Sequence, residues 1–509
     1  MKSRNFKLAA WSLFGVWALT AHPVQAQAQV KASLENSETK SVEDLIEAVN
    51  KDLSNLTAHQ DLQAAMGLEN PALIALYQQW IHENPKNAHI PFALGNAYTN
   101  ASSPLAKTYL LQAIAINPNY KEALAALWGD SGRWGDEALG RAYLKRIVEL
   151  DPDDATYAFY YANSFKGIDE AKYKAMNLAV AKKFNTSERG AQALYWLAHN
   201  LTDIREKEAI YLQLKDNFSP ADFNWSSSGM TSYNGLLLDE ERYADSEALC
   251  TELYRLTEAE SWSKNAEVSK QFVNFKALKA AGKTAEAIAL LDGLKVPKYL
   301  AVYKKIPLLK ADVQAQEGSD AKAFNTVLDF YKVSPSPALK TALFSYGKQL
   351  GKEQERVQAD ISTALREHAK EATAFELKNY EGGSNKLSDF KGKVTFITYW
   401  YPGCGPCRGE FPHFENVVRK SNKEQLAYIG INITSSQNDY VLPFLASSGY
   451  SFYPLEDVKG RAKGNLDNRN AAPVNFLIDK QGNLVFADFR TDAHNEDELE
   501  LMIQEALAL

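Results

Sequence analysis

Two cysteines, Cys404 and Cys407, are separated by Gly405 and Pro406, and Glu410 follows three residues later. Ahead of them runs Val394 to Trp400, a β-branched and aromatic stretch that reads as a buried strand, and Pro402-Gly403 turns the chain at its end. Pro406 suits the first turn of a helix, because its fixed φ fits there and its missing N–H would have had no intrahelical partner. Cys404 therefore stands just before a helix N-terminus. The unpaired N–H groups and the positive end of the helix dipole favour a thiolate at that place, lowering the thiol pKa from about 8.5 toward about 3.5–7.5. Cys404 is then the attacking sulfur. Cys407, one turn further on and more enclosed, attacks the mixed disulfide that Cys404 forms with a substrate and releases the reduced product. Glu410 shares the helix face of Cys407, where partial burial raises a carboxyl's pKa toward the working pH and lets it take the Cys407 proton.

Other chemistries fit less well. A zinc site takes four ligands, whereas the chain has three cysteines, no second cysteine pair and no histidine pair nearby. Haem attachment needs a histidine after the second cysteine, and that residue is Arg408. A structural bridge stays open, although short bridges across a helix start are reducible ones. The plainer reading of Glu410 is a solvated surface acid. Arg408 and His413 read as surface residues. No metal and no cofactor is called for.

The stretch resembles the thioredoxin superfamily and, within it, the TlpA-like group of extracytoplasmic thiol:disulfide oxidoreductases. Leu387-Ser388-Asp389-Phe390-Lys391-Gly392-Lys393-Val394 is similar to that group's approach to the active-site strand, and Cys407-Arg408-Gly409-Glu410-Phe411-Pro412 to its C-R-x-E-x-P helix. The matching glutamate assists proton transfer in that group, which implies the same role for Glu410. Ala471 to Asp479 is similar to the segment carrying a cis-proline and the strand after it. The resemblance then implies that Pro473 lies opposite the cysteines after a cis bond, that Ala472 offers backbone hydrogen bonds to an extended substrate, and that Trp400 belongs to the substrate-binding residues. Without the resemblance, Pro473 reads as an ordinary strand-start proline. Two positions depart from the pattern. Thr398 stands where thioredoxins carry a buried acid and TlpA-like proteins often an amide, which leaves proton handling to Glu410. Gly403 stands where an aromatic residue usually precedes the first cysteine. The resemblance spans roughly residues 372–509.

The elements that position this site belong to a longer chain. With 509 residues, 45% of them hydrophobic and 23% charged, it is too long for one core. A net charge of −7 and the lack of a basic cluster exclude nucleic acid as partner. Lys2, Arg4 and Lys7 precede the apolar run Leu8 to Ala21, and small residues follow. That is a secretory signal peptide over residues 1–28, cut after Ala26 or Ala28, and it predicts export to the periplasm. Residues 29–60 read as a leader. From 61 to 370 the pattern is helical, and Asn84-Pro85, Asn117-Pro118 and Asp151-Pro152 close helices at separations of 33 and 34 residues. This is the period of tetratricopeptide repeats. In the clearest unit Leu94, Gly95, Tyr98, Ala106, Leu110, Ala113 and Pro118 match the packing positions. Residues 241–248 and 280–288 resemble further helix-turn-helix junctions, while 185–240 gives no register. Tyr195, Trp196 and Trp225 read as core, and Cys250 as a buried inert residue.

A linker over 366–374 leads to residues 371–509, where alternating strands and helices predict a sheet with helices on both faces. The fold class is multidomain: an all-α tetratricopeptide-like solenoid followed by an α/β thioredoxin-like fold. The function that follows is an exported thiol:disulfide oxidoreductase acting on protein thiols and disulfides. Gly405-Pro406 suggests the reductase direction. A membrane electron-relay protein would re-reduce the pair, and a protein partner would dock on the helical repeats. The competing reading is an envelope interaction scaffold in which the redox part is accessory.

Overall fold

The computed structural model describes residues 40–297, 300, 302–457, 460 and 463–509. The expected signal peptide lies outside the described residues. Two compact units divide the chain, residues 1–84 and 85–509. In the first, helices Val42–Lys51, Leu56–Met66 and Pro71–Glu83 are described, so the second half of the expected leader is helical. Ser41 and Asp44 form a reciprocal capping box at its start, and His59 and Gln63 both meet the Tyr77 hydroxyl at 2.7 Å.

Among the described residues of the second unit, sixteen more helices run from His89 to His368. Asn117 and Asp151 end theirs by returning their backbone N–H to the carbonyls of Ala113 and Ile147, and the proline that follows each cannot extend the helix. Gly95 lets two helices approach, since a Cβ there would come within 2.9 Å of Leu110 Cγ. Farther along, ion pairs link helices of the array: Lys174 to Glu206, Lys215 to Glu252, Arg242 to Glu208 and Lys279 to Asp312 join residues 32 to 37 apart. Tyr195, Trp196 and Trp225 pack into one aromatic core there, together with the fully buried Cys250.

An eight-stranded mixed sheet follows. Its strands are β1 (Lys370–Glu371), β2 (Glu376–Asn379), β3 (Ser384–Lys386), β4 (Val394–Trp400), β5 (Leu426–Asn432), β6 (Tyr453–Glu456), β7 (Val474–Ile478) and β8 (Asn483–Ala487). Their spatial order is β1-β8-β7-β4-β5-β6-β2-β3. The parallel pairs β4/β5 and β5/β6 are connected through helices α1 (Gly405–Val418) and α2 (Asn438–Ser448), and α3 (Glu496–Ala508) closes the chain. Helices on both faces were expected, and this is corrected. The two crossovers advance in the same direction across the sheet, so right-handed connections put α1 and α2 on one face. Phe411, Phe414, Val441, Phe444 and Met502 of the three helices share a core with Val394, Phe396 and Trp400. The opposite face, with Ile397, Tyr399, Ile429 and Phe476, is covered by Ala372, Phe375, Leu387 and Leu466, none of which is in an α-helix.

The expected linker over 366–374 is corrected as well. The last array helix, Gln354–His368, runs to within two residues of β1, and β1 pairs with β8. Phe324, Leu343, Ile361 and Leu365 of the array belong to the same hydrophobic core as Phe396 and α3. Buried Glu505 of α3 accepts from Tyr331, Lys340 and Gln358 of the array. A shared core removes the hinge that a linker would have supplied.

Candidate active site

Strand β4 is buried along its whole length, which fixes where the chain turns at Tyr401 and Pro402. Cys404 caps α1 from the N-terminal side, and its Sγ accepts the Cys407 N–H at 3.2 Å. The two cysteines are joined in a disulfide with Cα atoms 5.3 Å apart, so this is the oxidised form. Both are buried, although Gly403, Gly405 and Pro406 beside them are exposed.

Glu410 comes one turn after Cys407 and is buried. The alternative of a solvated acid fails at this point, and the expected burial is found: Oε1 accepts from Arg490 Nε at 2.7 Å and from the Thr491 N–H at 3.0 Å, and Oε2 from Asn475 Nδ2 at 3.3 Å. Burial pushes the carboxyl above its ordinary range, against the opposing pull of Arg490 and of the hydrogen bonds. Arg490 itself reaches partial exposure and connects the carboxylate to the surface.

The peptide bond between Ala472 and Pro473 is cis. Tyr399 pairs with Val474, so the antiparallel register carries Pro473 to the level of Trp400, at the end of β4 from which the cysteine turn departs. Ala472 is half-buried against the cluster that includes both cysteines. Trp400 is elsewhere: fully buried, with its ring 4.8 to 5.5 Å from Phe452, Phe444 and Phe411. The expectation that it contacts substrate is corrected. Even-numbered positions of β4 face the helices, so Trp400 supports α1 from below rather than lining the surface.

Gln437, which nothing in the sequence signalled, closes the other side. Its Oε1 accepts the Gly403 N–H at 2.6 Å, and a Cβ on Gly403 would come within 3.1 Å of its amide. The position where an aromatic residue is usual is thus a glycine that a buried amide leans against. Arg408 is also not a simple surface residue. It pairs with Glu137 of the array at 3.0 Å and lies over Gly132, where a Cβ would collide with its guanidinium. Nearby, Tyr440 donates to buried Asp130, and Trp134 meets the Tyr440 ring edge-on at 5.5 Å. His494 Nε2 lies 3.3 Å from the His199 carbonyl oxygen, so the array also touches the segment after β8. Burial holds His199 down at about 4, hence neutral. His413 is paired with Glu496 at 2.6 Å.

Residues 369–487 match the AhpC/TSA family. The chain is 30% identical over 137 residues to the thioredoxin-like protein YneN of Bacillus subtilis strain 168, covering 26% of this chain and 77% of YneN. It is 30% identical over 115 residues to the thiol-disulfide oxidoreductase ResA of the same organism, covering 23% of this chain and 63% of ResA, which is less than two thirds of that relative. Among solved structures, a thiol:disulfide interchange protein of the thioredoxin family from Chlorobium tepidum TLS aligns with 27% of this chain and 97% of its own, at 19% identity and a TM-score of 0.24. Through residues 369–487 and the strands and helices around them, this chain belongs to the thioredoxin-like thiol-disulfide oxidoreductases.

Proposed function

We propose that the protein is an exported, periplasmic thiol:disulfide oxidoreductase that works as a reductase on protein disulfides. The observation that carries this reading is the bridged pair Cys404–Cys407 at the mouth of α1, with a buried carboxyl one turn behind it. Starting from the dithiol, the Cys404 thiolate attacks one sulfur of the substrate disulfide. That bond breaks, the first substrate thiol leaves, and Cys404 holds the other half as a mixed disulfide. Cys407 gives its proton to Glu410 and attacks Cys404 Sγ. The second thiol is released, the bridge forms, and two electrons have passed to the substrate. Pro473 and Ala472 hold an extended substrate segment at the end of β4.

Re-reduction of the bridge falls to a membrane electron-relay protein, because an exported enzyme has no cytosolic donor. None of the described helices is long and apolar enough to cross a membrane. The helical repeats, of tetratricopeptide type, dock a partner while they hold the redox domain through the Asp130, Glu137 and Glu505 contacts. The test is insulin reduction with covalent trapping. Cys404→Ser abolishes activity, and Cys407→Ser accumulates mixed disulfides in the native envelope. Wild-type protein that neither reduces insulin nor forms adducts would leave the scaffold reading in its place.

A further inference from the structure

The turn that carries Cys404 is exposed at Gly403, which has no side chain to cover it. The atoms nearest the place a Cβ would take there are the two ends of the Gln437 amide, Nε2 and Oε1 at 3.1 Å each. Gln437 as a whole is only 7% exposed. The Gly403 N–H donates to Oε1 at 2.6 Å, and this bond assigns the amide: its oxygen serves the turn, and its nitrogen is the free end. No acceptor among the described residues takes the Nε2 hydrogens, and the nitrogen is open to solvent rather than sealed in the core. The segment behind it is fixed. Ile433 donates its N–H to the Trp400 carbonyl at 3.0 Å, where β4 ends. Fully buried Asn432, where β5 ends, gives Nδ2 to Asn438 Oδ1 at 2.7 Å and to the Tyr380 hydroxyl at 3.0 Å. Both ends of the loop are thus held, and the amide is in place before any substrate arrives.

We propose that Gln437 Nε2 is a substrate-binding donor, which bonds a backbone carbonyl beside the substrate's cysteine and so selects disulfides carried on extended, unpaired segments of protein. The proposal rests on the oxidoreductase reading above and gives the substrate a second anchor. Strands β5 and β7 flank β4, so Gln437 after β5 and Ala472 before β7 stand on opposite sides of the cysteine turn. Consecutive Cα atoms are about 3.8 Å apart, so the amide lies within about 8 Å of the Cys404 Cα. A mixed disulfide sets the substrate's Cα about 5.5–6 Å from that of Cys404, and a chain crossing the exposed Gly403 then passes a carbonyl within reach of Nε2. Carbonyls inside a helix or a sheet are already engaged, and only an open segment has one to offer.

Two substrates separate this role from a merely structural one. The first is an uncharged, extended peptide whose cysteine is bridged to a coloured aromatic thiol; the second is the symmetric disulfide of that thiol, which has no peptide carbonyl. Stopped-flow mixing with reduced full-length protein gives a second-order rate constant for the first release of coloured thiolate from each. Gln437→Met, similar in shape but without the amide, should lower the ratio of peptide rate to small-disulfide rate by about threefold to tenfold, the worth of one hydrogen bond. Gln437→Glu keeps an acceptor for the Gly403 N–H and drops the donor, so the ratio should fall equally. Any effect of its charge on the Cys404 thiolate cancels, because both substrates meet the same sulfur. If the two variants slow both substrates by one factor, or if Gln437→Glu keeps the wild-type ratio, the donor role is overturned and the oxidoreductase reading stands. Wild-type protein that releases thiolate from neither substrate removes that reading and this inference with it.

Discussion

Cys250 in the helical array and Cys404 at the mouth of α1 are equally hidden, 0% and 1% exposed. Burial therefore does not separate them, and their surroundings do. Cys250 sits in the middle of a helix among apolar and aromatic side chains, with its thiol donating to Asn234 Oδ1, and burial pushes its pKa up to about 12. Cys404 stands at a helix start beside exposed Gly403 and Gly405, where the Cys407 N–H donates to the sulfur. Backbone dipoles aimed at a sulfur make a reactive thiol, whereas a core with no such dipoles makes an inert one.

The largest effect that could break this contrast is removal of the sulfurs. Cys404→Ser is expected to abolish disulfide exchange, while Cys250→Ala leaves the rate at the wild-type level, both read by insulin reduction. Glu410→Gln comes next. It should slow exchange by on the order of a hundredfold, within the range of about 10²–10⁴ for a lost acid or base. It should also stabilise the fold at neutral pH. Burial raises the folded-state pKa of Glu410, so between its ordinary value and that raised value the native state binds more protons than the unfolded state. Stability is then full below the ordinary carboxyl pKa and falls as pH rises through the raised one. Thermal melts of wild type and variant should accordingly converge in acid and separate near neutrality, with the variant higher.

Asp130→Ala is smaller. It strips the acceptor from the buried Tyr440 hydroxyl and should cost about 1–3 kcal/mol in denaturant unfolding. The smallest effect lies at Cys250 itself. Alkylation of native protein should leave it unmodified until denaturant opens the array, and Cys250→Ala should shift stability by about 1 kcal/mol.

How much of this was legible follows the same division. Around the cysteines, chemistry dictates residue types at fixed spacing, so Cys404, Cys407, Glu410 and the helix start at Gly405-Pro406 could be read directly, as could the strand before them. The array is specified by many interchangeable apolar contacts. Its first units were visible because Asn-Pro and Asp-Pro mark the helix ends, while 185–240 carries no such mark although it folds into helices of the same kind. What could not be read depends on contacts distant in sequence. Arg408 meets Glu137 across 271 residues, and Gln437 meets Gly403 across 34. Trp400 was misplaced for a local reason: its parity in β4 points it at α1, and the sequence does not say which face of a fully buried strand is nearer the substrate. The linker was misread because a short polar stretch after a helix looks alike whether the next strand docks or swings free.

Above all, the helix mouth should make Cys404 an anion where other cysteines are thiols. Ultraviolet titration of thiolate absorbance in the fully reduced Cys250→Ala protein, compared with its Cys404→Ser derivative, measures this directly. Ionisation of Cys404 well below the free-cysteine value of about 8.5 is the predicted result. A midpoint at or above that value, or a titration that survives in the Cys404→Ser derivative, would contradict the account.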